Sequence, residues 1–360
     1  MIYLLSLILL CPLNYRPTNI EITFSKLLTA LSIILLTAGC NPTKYVPEGE
    51  VLLSRNVLVI GKSDEALTSA ITKTAMKTYI KQLPNKRIFG SRFHLGLFNL
   101  SDIGKERWPH GWLRKIGEEP VIFDSISATR SKAQLESYLG SKGYFNAEVD
   151  ETAAIDKKEA EVFYMITPGT PYTIRDIMYE IEDSLLYGLV MVDTANCTVE
   201  RGMVYDVDLL QKERQRLERF IRDVGFYAFS TEDIFFRVDS SLASGKVDVH
   251  YVVARKTALD NEGKVVSTSH RMYWVRDVYV YPEFEPREAL RGGDEYAGSF
   301  DTVYFKGVYF ITPPGRQLVK PEVIKQAVYV LPGSLFSVTN AEQTQSHLAE
   351  LKNHRLVNVA

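Results

Sequence analysis

From residue 41 onward, hydrophobic positions follow two periods that alternate along the chain. Spacings of three and four mark helices, and strict alternation marks strands with one buried face. Leu135, Tyr138 and Leu139 share one face of a helix that a capping box of Ser131 and Gln134 is expected to start. Gly143 is placed to end it in the left-handed C-cap conformation, and Tyr144 and Phe145 follow. Residues 146–151 and 161–167 read as strands, the second stopped by Pro168-Gly169. The same order returns with Asp206 as N-cap and Val207, Leu210, Leu217, Phe220, Ile221 and Val224 at helical spacing. Gly225-Phe226-Tyr227 closes that helix, and strands at 229–239 and 246–254 follow, the latter alternating Val247, Val249, Tyr251 and Val253 against Asp248 and His250. In a third copy Thr339 and Glu342 form the capping box, Ala341, Leu348 and Leu351 point inward, and Leu356-Val357-Asn358-Val359 begins a strand.

The units also open alike, with Tyr172-Thr-Ile-Arg-Asp-Ile177 in one and Tyr273-Trp-Val-Arg-Asp-Val278 in the next. The order per unit is therefore strand, helical region, helix, strand, strand. That order predicts an α+β fold of small mixed sheets, each covered on one face by two helices. The first unit spans 40–170 with an insertion at 81–120, the second 171–256 and the third 272–360, incomplete at its C-terminus. Residues 257–271 are polar without periodicity and read as a linker. Residues 282–315, rich in proline, glycine and mixed charge, read as a long loop inside the third unit. The aromatics after each glycine, Tyr144, Phe145, Phe226 and Tyr227, are expected to pack the last helix onto the sheet.

The N-terminal forty residues carry two apolar runs, at 1–13 and 27–39, neither long enough to cross a bilayer as a helix. The second run fits a signal-peptide core: basic Lys26, thirteen apolar or small residues, then Thr37-Ala38-Gly39-Cys40. That ending resembles a bacterial lipobox, with Thr37 where leucine is commonest. The resemblance implies diacylation of Cys40, cleavage between Gly39 and Cys40, and a mature chain that begins at the acylated (palmitate-bearing) cysteine. Two acyl chains anchor stably where one is marginal. Asn41 is not the aspartate that marks inner-membrane retention, so the outer membrane, on its periplasmic side, is the expected location. The run at 1–13 is not explained by this scheme.

Charge and motif content narrow the chemistry. With 42 basic and 44 acidic residues the net charge is −2, which offers no long-range field suited to nucleic acid. The three cysteines, at 11, 40 and 197, form neither a CxxC pair nor a zinc set, and Cys197 reads as an unreactive thiol in a polar loop. Gly61-Lys62-Ser63 follows a strand, but the P-loop glycine five places earlier is Asn56. The six histidines are scattered, with His347 and His354 two helical turns apart and no third ligand, and no nucleophile elbow or metalloprotease motif occurs. Glu118-Glu119 and the pair Asp206 and Asp208 are explained by solvation and capping. The reading is of a protein that is not an enzyme and uses no metal and no cofactor beyond a covalent lipid. The insertion carries Arg87, Arg92, Lys105, Arg107, Arg114 and Lys115 among phenylalanines, Trp108 and Trp112. It fits an interfacial loop near lipid headgroups or a partner-docking insertion; the plainer reading is an ordered insertion with solvated charges and two packed indoles.

Taken together, the lipobox, Asn41-Pro-Thr-Lys-Tyr-Val-Pro-Glu-Gly-Glu-Val-Leu-Leu53, Leu83-Pro-Asn-Lys-Arg-Ile-Phe-Gly90, Phe93-His-Leu-Gly-Leu-Phe-Asn-Leu100 and the three units resemble the periplasmic half of a surface-antigen barrel protein. The family is that of the outer-membrane assembly factors BamA and TamA, most closely its lipoprotein form TamL, and its periplasmic units are polypeptide-transport-associated (POTRA) domains. The resemblance covers essentially all of 40–360. Relatives carry a C-terminal barrel, whereas this sequence stops inside the first strand after the last helix, so a truncated product is expected. The resemblance implies a part in inserting or exporting outer-membrane proteins, with unfolded barrel precursors as clients and a TamB-like periplasmic protein as partner. In a three-stranded sheet the second strand of each pair is expected to be an open edge to which an extended client can add. By resemblance the candidate edges are 146–151 and 229–239, with Asn146, Ala147, Val149, Phe229, Phe235 and Phe236 as client- or partner-binding residues. The alternatives are that these edges are simply solvated, and that the chain is a barrel-less lipoprotein scaffold organising envelope proteins.

Overall fold

A computed structural model describes residues 41–61, 71–241, 245–259, 262–285, 300–313 and 319–351, together with 287, 290 and 291. The lipobox and the strand expected at 356–359 lie outside the described residues. The chain forms two compact units. One holds the described residues up to Leu139 and Asn146–Gly169, and the other holds Gly140–Phe145 and those from Thr170 on. The architecture is α+β, with small mixed sheets and no closed barrel among the described residues.

The first unit contains strand β1 (Leu52–Ile60), the short helices α1 (Lys73–Lys77), α2 (Phe93–Leu100) and α3 (His110–Ile116), most of α4 (Ser125–Ser141), and the hairpin β2 (Glu148–Asp156) and β3 (Glu159–Thr167). The sheet order is β1-β3-β2, with β1 parallel and β2 antiparallel to the central β3. Val149, Val162, Tyr164 and Ile166 on the sheet and Leu135, Tyr138 and Leu139 on α4 are buried, as their alternation requires. The expected capping box does not start α4. Asp124 does: its carboxylate accepts the amides of Ile126 and Ser127 at 3.0 and 3.1 Å, seven residues upstream of the expected cap. Ser131 sits buried inside the helix, its hydroxyl turned back onto the Ser127 carbonyl at 2.6 Å. Arg92 ties the insertion to the sheet, gripping the Glu159 carboxylate with both terminal nitrogens at 2.9 Å and the Ser54 hydroxyl at 2.6 Å. The Arg92 guanidinium holds the Glu159 carboxyl below its usual range against the opposing effect of burial.

The second unit repeats this order with β4 (Thr173–Ile181), α5 (Ser184–Asp193), α6 (Val207–Asp223), β5 (Ile234–Asp239) and β6 (Lys246–Val253), in sheet order β4-β6-β5. Both parallel pairings have a register shift at the same place, between Leu53 and Arg55 and between Ile174 and Asp176. Asp206 caps α6 by accepting the Asp208 amide at 2.8 Å. Leu210, Leu217 and Ile221 meet Val247, Val249, Tyr251 and Val253 in one buried core. The segment expected as a featureless linker forms a two-stranded hairpin, β7 (Lys256–Leu259) with β8 (Val265–Thr268).

The third sheet overturns the expectation of a loop at 282–315. β9 (Val278–Val280) pairs in parallel with β11 (Val308–Thr312), which pairs antiparallel with β10 (Asp301–Phe305), giving the order β10-β11-β9. This is the topology of the other two sheets, but the hairpin precedes the helices α7 (Pro321–Gln326) and α8 (Val338–Glu350). Lys306 and Gly307 turn the hairpin with φ of 46° and 86°, the signature of a type I′ turn, and Val308 and Phe310 pack with Ile324 and Val328. The cap of α8 is Ser337, not Thr339. Thr339 and Glu342 are bound to Asp223 and Arg219 of α6 instead. Among the described residues no helix is long and apolar enough to cross a membrane.

Candidate functional site: the sheet edges

Strand register fixes which backbone groups each edge offers. Antiparallel partners alternate between residues that exchange hydrogen bonds and residues whose amide and carbonyl point away from the partner. The Ala254 amide donates to the Asp233 carbonyl at 2.8 Å, in register with the pair Ile234–Val253. Phe235, Arg237 and Asp239 therefore bond to β6, and Ile234, Phe236 and Val238 face outward. The Ile234 amide is taken by the Thr231 carbonyl, which leaves the Phe236 and Val238 amides and three carbonyls along the open side of β5. No further strand pairs with β5 among the described residues.

The β2 edge differs. Its tight hairpin makes Asp156 and Glu159 a bonded pair, so Val149, Glu151, Ala153 and Ile155 face outward. The Glu136 carboxylate already accepts the Val149 amide at 3.2 Å. The strand also carries Glu148, Asp150, Glu151 and Asp156 without a basic residue. Edge charges oppose strand addition, so β5 is the more receptive of the two.

The face of the second sheet turned from the helices is a lattice of paired charges. Glu180 on β4 binds Arg237 on β5 and, at 2.7 Å, His250 on β6. Arg175 on β4 grips Asp248 on β6, and this hydrogen bond holds the Asp248 carboxyl below its usual range. Each charge here has its opposite, which suits a solvated face rather than proton transfer. Cys197 is not in an open polar loop: it is half-buried beside the core, its thiol 3.5 Å from the Tyr251 hydroxyl, and burial pushes its pKa up. Glu213 is buried, yet Arg216 and the Thr198 amide and hydroxyl outweigh the effect of burial and hold its carboxyl down. That cluster ties the segment before α6 to the helix. Among the described residues no group of three or more His, Cys, Asp or Glu side chains is placed to hold a metal ion.

The expected site residues separate on this geometry. Gly39 and Cys40 lie outside the described residues. The edges named at 146–151 and 229–239 fall on β2 and β5, which are edge strands, but each is the first strand of its hairpin, not the second; β3 and β6 are central because each also takes the parallel opening strand. Asn146 and Ala147 precede β2, Val149 is fully buried, and Phe229 is a core residue ahead of β5. Phe235 is 47% exposed, whereas Phe236 is partly buried with its ring 4.6 Å from that of Tyr251. Val149 and Phe229 therefore have no side chain to offer a client. The indoles expected to be packed are open: Trp108 is 82% and Trp112 54% exposed.

Sequence reasoning missed a repeated junction. In each module the opening segment pairs with the residues just before the long helix: Phe123 donates to the Val51 carbonyl, Tyr205 to Tyr172 and Phe336 to Tyr273, at 2.8–2.9 Å. The helix cap follows each of these aromatics, as Asp124, Asp206 and Ser337. Within the second unit, Tyr172 donates to the Gly143 carbonyl and Tyr273 to that of Gly225, both at 2.8 Å. Tyr144 and Phe226 are buried as expected, but Phe145 and Tyr227 do a different job. Phe145 packs on Tyr172 and Tyr205, and Tyr227 on Tyr273 and Phe336. Lys142 binds Asp206 at 2.9 Å and Asp208 at 2.7 Å, and Asp223 accepts from Ser337 and Thr339 at 2.7–2.8 Å. The recurring aromatic-then-cap pairs, Phe123-Asp124, Tyr205-Asp206 and Phe336-Ser337, are the sequence signal that could have located these junctions.

No family model and no curated protein matches the chain. Solved structures are similar at low identity. POTRA domains 3–5 of BamA from Haemophilus influenzae align at 10% identity and a TM-score of 0.38, over 87% of this chain and 91% of that one. The N-terminal domain of Omp85 from Thermosynechococcus elongatus aligns at 12% and 0.27, over 87% and 91%. POTRA domains 1–3 of the periplasmic domain of Omp85 from Anabaena align at 10% and 0.28, over 85% and 87%. The module order is set by the strand registers within this chain.

Proposed function

We propose that this chain is the periplasmic, lipid-anchored POTRA region of an outer-membrane protein assembly or translocation factor, of the BamA and TamA type in its lipoprotein form. Its work is to receive unfolded β-barrel clients by strand addition and to dock partner proteins such as a TamB-like periplasmic protein. The observation that carries this reading is the open side of β5, where the Phe236 and Val238 amides and three carbonyls face away from the ladder. Backbone pairing is nearly indifferent to client sequence, which is what a receptor for many precursors needs. The N-terminal lipobox and the sequence segments that resemble the family add the membrane context.

Val238→Pro tests the edge. Proline there removes an outward donor without removing a ladder hydrogen bond, and edge strands tolerate it. Crosslinking to unfolded barrel precursors should fall while the melting profile holds; unchanged crosslinking in a folded variant would withdraw β5 as the receptor. Cys40→Ala tests the anchor. It should abolish lipid labelling and leave an unprocessed precursor, and normal processing with normal membrane partition would refute lipidation.

A further inference from the structure

The insertion has one end that the edge-receptor role does not use. Residues 41–45 are strapped to the C-terminal end of α2: the Asn99 side chain donates to the Asn41 carbonyl at 2.9 Å, Lys44 Nζ donates to the Asn99 carbonyl at 2.6 Å, and the Tyr45 hydroxyl donates to the Ser101 carbonyl. The loop beyond is closed onto α3, where the Asp102 amide donates to His110 Nδ1 at 3.1 Å and Arg114 donates to the Asp102 and Lys105 carbonyls at 2.7 and 2.9 Å. A loop so held has little freedom to fold its apolar side chains inward. Leu100, Ile103, Trp108 and Trp112 are all exposed on it.

Charge says what covers this tip. Residues 81–120 hold eight basic and four acidic residues, a surplus of +4 in a chain whose net charge is −2. Lys105, Arg107 and Lys115 are exposed beside the indoles, with Lys105 also paired to Asp102 at 3.0 Å and Glu106 as the opposing exposed acid. Indoles with basic side chains are the composition that settles at a lipid headgroup layer, which is about 5–8 Å deep on each side of the hydrocarbon. Position agrees, because Cys40 is covalently joined to Asn41, and Asn41 is hydrogen-bonded to the residue before Leu100. We infer that the α2–α3 tip is a second membrane contact, with Trp108 and Trp112 in the headgroup layer and Lys105, Arg107 and Lys115 on anionic phospholipid. This rests on the reading of the N-terminal region as a membrane anchor. A surface anchor is strengthened by a basic patch beside it, and two contacts would restrict rotation about the lipidated residue.

The full chain in the Trp274→Phe background, where only the tip tryptophans emit, is reconstituted into vesicles of brominated phosphatidylglycerol and phosphatidylcholine. Tip emission should shift to the blue and be quenched, and the quenching should be lost in pure brominated phosphatidylcholine and in the Lys105→Gln/Arg107→Gln variant. The reciprocal Trp108→Ser/Trp112→Ser variant keeps Trp274, whose emission should stay unquenched. Full flotation with unquenched tip tryptophans overturns the proposal and leaves the anchor intact. Quenched tip tryptophans with no lipid label on Cys40 would refute lipidation instead and leave the tip contact standing.

Discussion

Gly143 and Gly225 end their helices at φ of 89° and 108°, a region that costs an L residue about 1–2 kcal/mol. Their surroundings differ. A Cβ on Gly143 would lie 2.7 Å from the Tyr205 carbonyl oxygen, whereas on Gly225 it would meet the Leu335 side chain at 3.0 Å. Backbone cannot step aside as a leucine methyl can. Gly143→Ala is therefore expected to lower the melting temperature more than Gly225→Ala, and equal shifts would contradict the placement of Gly143. At this scale the sequence told that a left-handed glycine was needed, but not what crowds it. The same limit applies to the paired aromatics: Tyr144 and Phe145 look alike in sequence, and only the packing separates the core residue from the one that packs against Tyr172 and Tyr205.

Helices in the second unit are joined through their ends. Asp223, near the end of α6, takes three hydrogen bonds from Ser337 and Thr339 at the start of α8. Burial pushes its carboxyl up, but these hydrogen bonds and Arg219 outweigh burial and hold it below its usual value. A carboxyl depressed in the folded state stabilises above its unfolded pKa of about 3.9 and loses that contribution as pH falls through the folded value. Asp223→Ala should cost about 1–3 kcal/mol at pH 7, and the difference from wild type should shrink in denaturation measured at pH 3. A pH-independent difference would mean that the carboxylate charge is not what holds α8. Here sequence reasoning named Thr339 and Glu342 as a capping box, because spacing alone cannot tell a residue that caps its own helix from one claimed by a neighbour. The hairpin at 301–312 was not read: alternating runs flank Lys306-Gly307, but the surrounding proline, glycine and charge made the segment read as loop. The α6 face was read correctly because Leu210, Leu217 and Ile221 recur at helical spacing and Asp206 caps its own helix even while Lys142 binds it.

Across the molecule, three sheets share one order, with a central strand flanked by a parallel opening strand and an antiparallel edge. The order of elements was legible in the first two modules because helix and strand periods alternate cleanly there. Which strand is central was not, since it depends on the parallel pairing of β1 with β3 and β4 with β6, contacts far apart in sequence. In the third module the hairpin comes before the helices yet fills the same place, which no local pattern announces. The functional reading follows from this architecture: each of these sheets has an antiparallel hairpin strand at one edge, and of β2 and β5 the β5 edge carries fewer charges. The most direct test is amide hydrogen exchange along β5, with and without a peptide from an unfolded outer-membrane barrel strand. Client addition predicts new protection at the Phe236 and Val238 amides, with Phe235, Arg237 and Asp239, already in the ladder, little changed. Unaltered exchange at Phe236 and Val238 with the peptide bound elsewhere would contradict the account.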